Sequence, residues 1–391
     1  MSRIPTYMAT KVLVLGGGAG GAVAANRLTK WGKGEIEVTV VDQNTFHEFR
    51  PSYLWVSTGY REPEEARRPL SLLEKRGIKY VNDRVEKIDT ANRSVRTANN
   101  NELKYDYLIT SLGSELKTDG YAFGDVPAPW ELDLALKLKE KLKDFRGGKV
   151  VIGPHSWPYR CPPAPFELAF MLKYLSEQRG YESEITVFHP WSKPMEPFGP
   201  LMQTLFAQML EKYKINWVPQ FNISSIDVKA KKITSTKGDA LIYDLGIVIP
   251  PHSPPKCVAD SDLANSKNGY MDVEPKSLKS KKYDDVYGIG DLIAPNLGIG
   301  MAGVFAHLQA EHVATRIVDE VNGVFMGEHY SMVGSCVMDL GYMGAAVFCD
   351  FSDKILGKAQ YPKCWMLGGM PLFRGAKIAF ERMWFAQLFG R

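Results

Sequence analysis

Cysteine is scarce in this chain of 391 residues: there are five, Cys161, Cys257, Cys336, Cys349 and Cys364. Five is few and odd, a poor basis for a disulfide framework, so any disulfide is expected to be catalytic rather than structural. Also missing is an uncharged apolar run of about 18 residues, the length that crosses a bilayer. The chain is therefore not expected to span a membrane. The opening MSRIPTYMATK lacks a charged segment followed by an apolar one, so no secretory leader is read and residence in the cytoplasm is expected. The formal net charge is only +4, and no run of Lys and Arg interleaved with aromatics argues for nucleic acid. Apolar residues at 45% and charged residues at 24% are ordinary globular values, which excludes disordered, collagenous and coiled-coil classes. At roughly 100 to 200 residues per domain, the length implies two or three domains.

What is present first is a glycine turn. Residues 11–15 read as a short apolar strand, 16–21 as GGGAGG, and 22–30 as a small-residue helix. The spacing Gly16, Gly18, Gly21 lets backbone approach a pyrophosphate at a helix N-terminus, where free N–H groups and the helix dipole favour negative charge. A second strand, 36–41, ends at Asp42, an acid suited to a ribose hydroxyl. A dinucleotide is expected here. Two further segments, 105–113 (YDYLITSLG) and 283–291 (YDDVYGIGD), resemble flavoprotein motifs and favour FAD over NAD. By that resemblance Asp291 meets the ribityl chain, and the helix predicted over 302–318 points its N-terminus at the flavin pyrimidine.

Between these segments lies an insert that should form its own domain. It opens on a turn and buried strand at 147–153, and a second strand over 184–189 ends without an acid. No glycine fingerprint follows its first strand. Instead the chain reads PHSWPYR and then CPPAPFE at 161–167, and proline-rich backbone lacks the N–H donors a pyrophosphate needs. NAD(P)H binding is thereby demoted. Pro165 suits the first position of a helix over 166–175, so Cys161 sits just before a helix N-terminus, which with Arg160 beside it should lower the thiol pKa. The alternative for Cys161 is an inert buried thiol. Glu167 is either a proton carrier near the sulfur or a carboxylate complementing the helix dipole.

Over nearly its whole length the chain resembles sulfide:quinone oxidoreductases, with flavocytochrome c sulfide dehydrogenase flavoprotein subunits as near relatives. The matched segments are 16–21, 49–51, 105–113, 160–167, 248–252 and 283–291, and the Cys-Pro-Pro stretch is the specific one. The resemblance implies an α/β fold of two Rossmann-like dinucleotide-binding domains in tandem. A discontinuous FAD domain (1–145 and 275–325) encloses a second domain (146–274), and a membrane-facing region (326–391) follows. It places FAD against Gly16, Gly18, Ala19, Gly21, Asp42, Gln43, Arg50, Pro51, Ser111, Gly113, Gly290, Asp291, Met301 and Ala302. It also pairs Cys161 with Cys336 as the redox cysteines, with Glu167 as the third catalytic residue. Spacing does not choose Cys336 among the cysteines; packing is expected for Cys257, Cys349 and Cys364.

The implied reaction is attack of hydrosulfide on a Cys161–Cys336 bridge, electron transfer to FAD, and reoxidation by a membrane quinone, with sulfane sulfur or polysulfide as product. The rival readings are a type II NADH:quinone dehydrogenase, a flavocytochrome c-like sulfide dehydrogenase flavoprotein, and a flavin-binding module without turnover. Three departures stand out: no third cysteine in 120–136, no cysteine near Asp42 for covalent FAD, and no lysine in 295–300. FAD is expected to be non-covalent. Finally, residues 361–391 hold Lys363, Arg374, Lys377, Arg382 and Arg391 against Glu381, interleaved with aromatics and methionines. That pattern suits a helix on an anionic membrane interface, and with it a peripheral location on the cytoplasmic face. Packing of this helix on the flavin domain or in a homo-oligomer is the alternative.

Overall fold

The computed structural model describes residues 9–120, 122–324 and 332–390. From the N-terminus run β1 (Thr10–Leu15), α1 (Ala19–Trp31), β2 (Ile36–Asp42), β3 (Lys79–Asn82) and β4 (Tyr107–Thr110). Helix α2 (Leu132–Asp144) leads into β5 (Gly148–Pro154), α3 (Ala164–Gln178), β6 (Ser183–Phe188), α4 (Pro200–Lys212), β7 (Asn216–Val218) and β8 (Leu245–Ile249). The chain continues with β9 (Val286–Gly288), α5 (Gly303–Val321), β10 (Val333–Asp339), β11 (Gly344–Asp350), β12 (Lys363–Met370) and α6 (Pro371–Phe389). Short helical turns and small antiparallel sheets fill the connections.

Two parallel sheets carry the architecture. The first has the order β9-β4-β1-β2-β3, the second β7-β6-β5-β8. Val12, Leu13, Val14 and Leu15 are all buried, as expected of a central strand covered on both faces. Strand β9 returns to pair with β4 after the whole second sheet has been built, so the first sheet is discontinuous in sequence. Both sheets begin with the same unit, a parallel strand, a turn and a helix. The helix expected over 166–175 begins earlier, at Ala164, which moves Pro165 to its second position.

A third sheet, antiparallel and ordered β10-β11-β12, precedes α6. Its register sets Cys349 opposite Cys364, and the two form a disulfide with Cα atoms 4.1 Å apart. This corrects the packing role expected for both: two residues 15 apart in sequence become direct cross-strand neighbours.

The C-terminal helix also departs from expectation. Two charges of α6 point inward: Lys377 and Glu381 are buried beside Trp384, Phe385 and Leu388, while Arg382 is exposed and Leu372 and Met383 are 71% and 66% exposed. Glu381 accepts from Ser52 Oγ and pairs with Arg61 at 3.1 Å, and Lys377 pairs with Glu167. Lys363 and Arg374 are likewise ion-paired, with Asp353 and Asp339. The basic residues read as a membrane patch are thus largely committed to carboxylates, and Arg391 lies outside the described residues. Among the described residues no helix is long and apolar enough to cross a membrane.

Candidate functional site

A cavity of about 1230 Å³ is bounded by the glycine turn at one end and by Cys161 and Cys336 at the other. At the glycine end, Gly16 holds φ +95°, and a Cβ there would lie 2.4 Å from the Ser111 carbonyl oxygen. Gly18 is different: a Cβ on it meets nothing within 4 Å, because it opens on the cavity. Helix α1 has no side-chain cap at Gly18 and no acid in its first turn, so its leading N–H groups are left for an anion. Gly21 is not on the wall. It serves packing, since a Cβ would sit 1.8 Å from the Gly16 oxygen.

Asp42, at the end of β2, accepts from the Gly17 and Asn44 N–H groups, each at 2.7 Å. Its carboxyl is raised above the ordinary range by burial, against these hydrogen bonds. His47 pins the turn from outside: its Nδ1–H donates to the Gly17 oxygen at 2.8 Å while Nε2 accepts from Trp384 Nε1 at 2.9 Å. Burial pushes its pKa down to about 4, so the ring is neutral. Gln43, Pro51, Ser111, Gly113, Gly290, Met301 and Ala302 also line the cavity. Arg50 and Asp291 face each other across it, and burial lifts Asp291 to about 6 against the pull of the Arg50 cation. Helix α5 starts uncapped after Ala302, a second free N-terminus facing the same space. Two uncapped helix starts, an open glycine and a strand-end acid fit a dinucleotide carrying a flavin.

The sulfur end is built by β5, α3 and β10. After β5 the chain makes no phosphate cradle: Trp157 and Tyr159 pack with tilted rings against Trp191 and His189, with Trp157 and Trp191 centroids 4.9 Å apart. His189 Nδ1 accepts from the Trp191 N–H, so its Nε2–H donates to Tyr159 Oη at 3.0 Å, and Tyr159 donates to the Pro162 oxygen at 3.0 Å. Burial lowers the His189 pKa to about 3. Cys161 adopts φ +57°, a left-handed conformation that costs a non-glycine residue on the order of 1 kcal/mol. Its N–H donates to the Met301 oxygen at 2.8 Å and its oxygen accepts from Ala164 N, which holds it there.

Cys161 and Cys336 are free thiols whose side chains hydrogen-bond to each other. That hydrogen bond, and then burial, push the Cys161 thiol well above its ordinary range. The thiol was expected to be lowered by Arg160, but the Arg160 guanidinium turns away, to Glu131 at 2.7 Å, the Trp130 oxygen and His252. The cation near the thiols is Lys377, which opposes the rise at Cys161. Lys377 pairs with Glu167, which also accepts from the Asp339 N–H at 2.8 Å. Asp339 in turn accepts from Arg374 at 3.1 Å and Trp55 Nε1 at 2.9 Å. Glu167 is therefore no free helix-dipole partner but one member of a buried four-charge network, its pKa raised by desolvation.

Comparison with known proteins gives matches along the chain. Residues 10–153 match the pyridine nucleotide-disulphide oxidoreductase family, and residues 135–250 match the central region of the sulfide dehydrogenase [flavocytochrome c] flavoprotein chain. The chain is 25% identical over 373 residues to a sulfide-quinone reductase of Aquifex aeolicus, covering 88% of this chain and 84% of that protein. It is 26% identical over 306 residues to the mitochondrial sulfide:quinone oxidoreductase of Mus musculus, covering 72% of this chain and 65% of the mouse protein. The crystal structure of the Aquifex aeolicus sulfide:quinone oxidoreductase superposes with a TM-score of 0.85 at 22% identity, over 97% of this chain and 92% of that one, which shows the shared fold. Over most of its length the chain is similar to sulfide:quinone oxidoreductases.

By these matches it is an FAD-dependent oxidoreductase. Every residue expected at its site lies on the cavity wall except Gly21. Sequence reasoning missed Lys377, Asp339, His47 and Glu131. Glu131 bridges Arg50 and Arg160 and is lifted to about 7 by burial. For Lys377 a signal existed: Lys377, Glu381, Trp384, Phe385 and Leu388 share one helical face, so the charges and the bulky apolar residues belong together.

Proposed function

We propose that this protein oxidises hydrosulfide to sulfane sulfur or polysulfide at Cys161 and Cys336 and passes the electrons to a membrane quinone. The observation that carries the reading is the meeting of two free thiols in the cavity that the glycine turn also bounds. In the oxidised form the two sulfurs share a bond. Hydrosulfide attacks one, leaving a persulfide there and a thiolate on the other, so one S–S bond forms as one breaks. Lys377 lies where it offsets the charge of that thiolate, and Glu167, its ion-pair partner, is a carboxyl that can exchange a proton there. Bound FAD supplies two-electron acceptance from the thiolate and donation to quinone.

In this reading Gly16 and Gly18, with the start of α1, receive the pyrophosphate. Asp42 and Gln43 flank the ribose, Arg50, Pro51, Ser111 and Gly113 shape the middle of the site, and Gly290 and Asp291 face the ribityl chain. Met301 and Ala302, at the start of α5, meet the pyrimidine, and no cysteine bonds FAD covalently. Residues 1–145 with 275–325, 146–274, and 326–391 form the three units. The aromatic plug of Trp157, Tyr159, His189 and Trp191 supports a sulfur donor over NADH, because it fills the end of β5 and β6 where a second dinucleotide would dock.

The test is the anaerobic flavin spectrum of wild type, Cys161→Ala and Cys336→Ala on adding sulfide or NADH. Bleaching by sulfide alone, lost in both variants, is expected; bleaching that persists in both would defeat the thiol route. The outward residues Leu372, Phe380 and Met383 of α6, with Trp365, Leu367 and Met370 of β12, support a peripheral membrane contact. Leu372→Gln/Met383→Gln should then float with anionic liposomes less than wild type, and equal flotation would exclude that face.

A further inference from the structure

The disulfide Cys349–Cys364 stands beside the thiol pair, not apart from it. On β10, Gly334 and Cys336 are two residues apart and so share a sheet face; their partners on β11 are Cys349 and Val347. Cys336, Cys349 and Cys364 therefore lie on one face, across three adjacent strands. Cys336 and Cys349 are diagonal neighbours, whose Cα atoms in such sheets are about 7–8 Å apart, roughly an ångström or two beyond bonding range. The strand position directly opposite Cys349 is Gly334, which has no side chain of its own on that face. The ring of Phe305 takes that space, so exchange between Cys336 and Cys349 requires it to shift aside. Cys161, Cys336 and Cys349 all line the one cavity. Cys349 is buried, whereas Cys364 is half-buried on a strand whose neighbours Trp365 and Leu367 are exposed.

We infer that Cys349–Cys364 is a second redox-active disulfide, which exchanges with the Cys161/Cys336 pair and connects it to small thiols and disulfides at the surface. The Cys336 thiolate attacks Cys349 Sγ; the Cys349–Cys364 bond breaks and Cys364 leaves as a thiolate. The Cys161 thiolate then attacks Cys336 Sγ, forming the Cys161–Cys336 bond and releasing Cys349. Two electrons and two protons have moved from the inner pair to the outer, and no external oxidant is used. A small-molecule disulfide at the surface restores the outer pair, being reduced to two thiols. Every step runs equally in reverse, so an external thiol can reduce the inner pair by the same route.

The experiment uses full-length, FAD-loaded protein and no sulfide, so its failure is separate from failure of the sulfide reading. Cys161→Ser/Cys364→Ser leaves Cys336 and Cys349 without their usual partners. Treated with diamide and mapped by peptide mass spectrometry, it should carry a Cys336–Cys349 bond in most chains. Recovery of both as separately alkylated thiols, at wild-type flavin content, overturns the inference. If that variant does not fold, Cys349→Ala/Cys364→Ala decides. Reduction of the Cys161–Cys336 bond by glutathione, read by alkylation, should slow at least tenfold relative to wild type, and an unchanged rate overturns the relay.

Discussion

The same unit occurs twice in this chain with opposite chemistry. β1, its turn and α1 offer glycine, free N–H groups and an open wall; β5, its turn and α3 offer proline, packed aromatics and a thiol. Each turn is pinned by a buried neutral histidine that reaches a backbone carbonyl, His47 directly at Gly17 and His189 through Tyr159 at Pro162. The scaffold therefore fixes where a turn sits, at the C-terminal end of a parallel strand, and leaves open what the turn binds. Backbone N–H groups are what the anion site offers, steadied from behind by His47 and Trp384. The thiol site presents side chains instead, with Lys377 of α6 as the cation near the sulfurs, and that difference in what is offered separates the two.

The comparison breaks most severely at Gly21. Gly21→Ala places a methyl 1.8 Å from the Gly16 oxygen, and backbone on both sides cannot yield. The variant is expected to be insoluble or flavin-free; a wild-type flavin absorbance per chain would show that the glycine turn is not the cofactor cradle. The second turn should instead be sensitive to charge. Lys377→Met leaves Glu167 buried without its cation and should cost about 3–5 kcal/mol in a urea melt. Adding Glu167→Gln should recover much of that loss, and full stability of the single variant would mean the pair contributes nothing.

Acid should loosen both turns together. An unfolded histidine titrates near 6.5, whereas His47 and His189 are held down to about 4 and about 3. Below pH 6.5 the unfolded chain binds more protons, so their stability contribution is present above that pH and is lost as pH falls, by up to about 1.4 kcal/mol per pH unit for each. His47→Gln should flatten the slope between pH 6.5 and 4 by one such increment; an unchanged slope would locate the acid sensitivity elsewhere. The smallest effect sharpens the contrast in backbone. Cys161→Gly should be more stable than Cys161→Ala by about 1 kcal/mol, because only glycine adopts φ near +57° freely. Equal stability would mean the left-handed turn carries no strain.

Local chemistry was legible in advance. The glycine turn declares itself because its function lies in backbone, and glycine and proline are the residues whose backbone a sequence reveals. The position of Cys161 before a helix was legible for the same reason. The partners of that thiol were not. Cys336 came only by family resemblance, since five cysteines give no pairing rule, and the Cys349–Cys364 bond depends on hairpin register across an intervening short helix, Ser352–Ile355. For Lys377 the helical face shared with Trp384, Phe385 and Leu388 pointed inward, but its partner Glu167 lies 210 residues earlier, and no periodicity reports which residue it meets.

The inward charges of α6 also fix its bearing. In an α-helix each residue turns the chain by about 100°, so a roll of one position would replace Lys377 by Ala376 or Ile378 opposite Glu167. Only one azimuth satisfies Glu167, Arg61 and Asp339 together. The outer strip of Leu372, Phe380 and Met383 inherits that azimuth, so the direction in which the molecule presents its apolar surface is set from inside, by the buried carboxylate of Glu167.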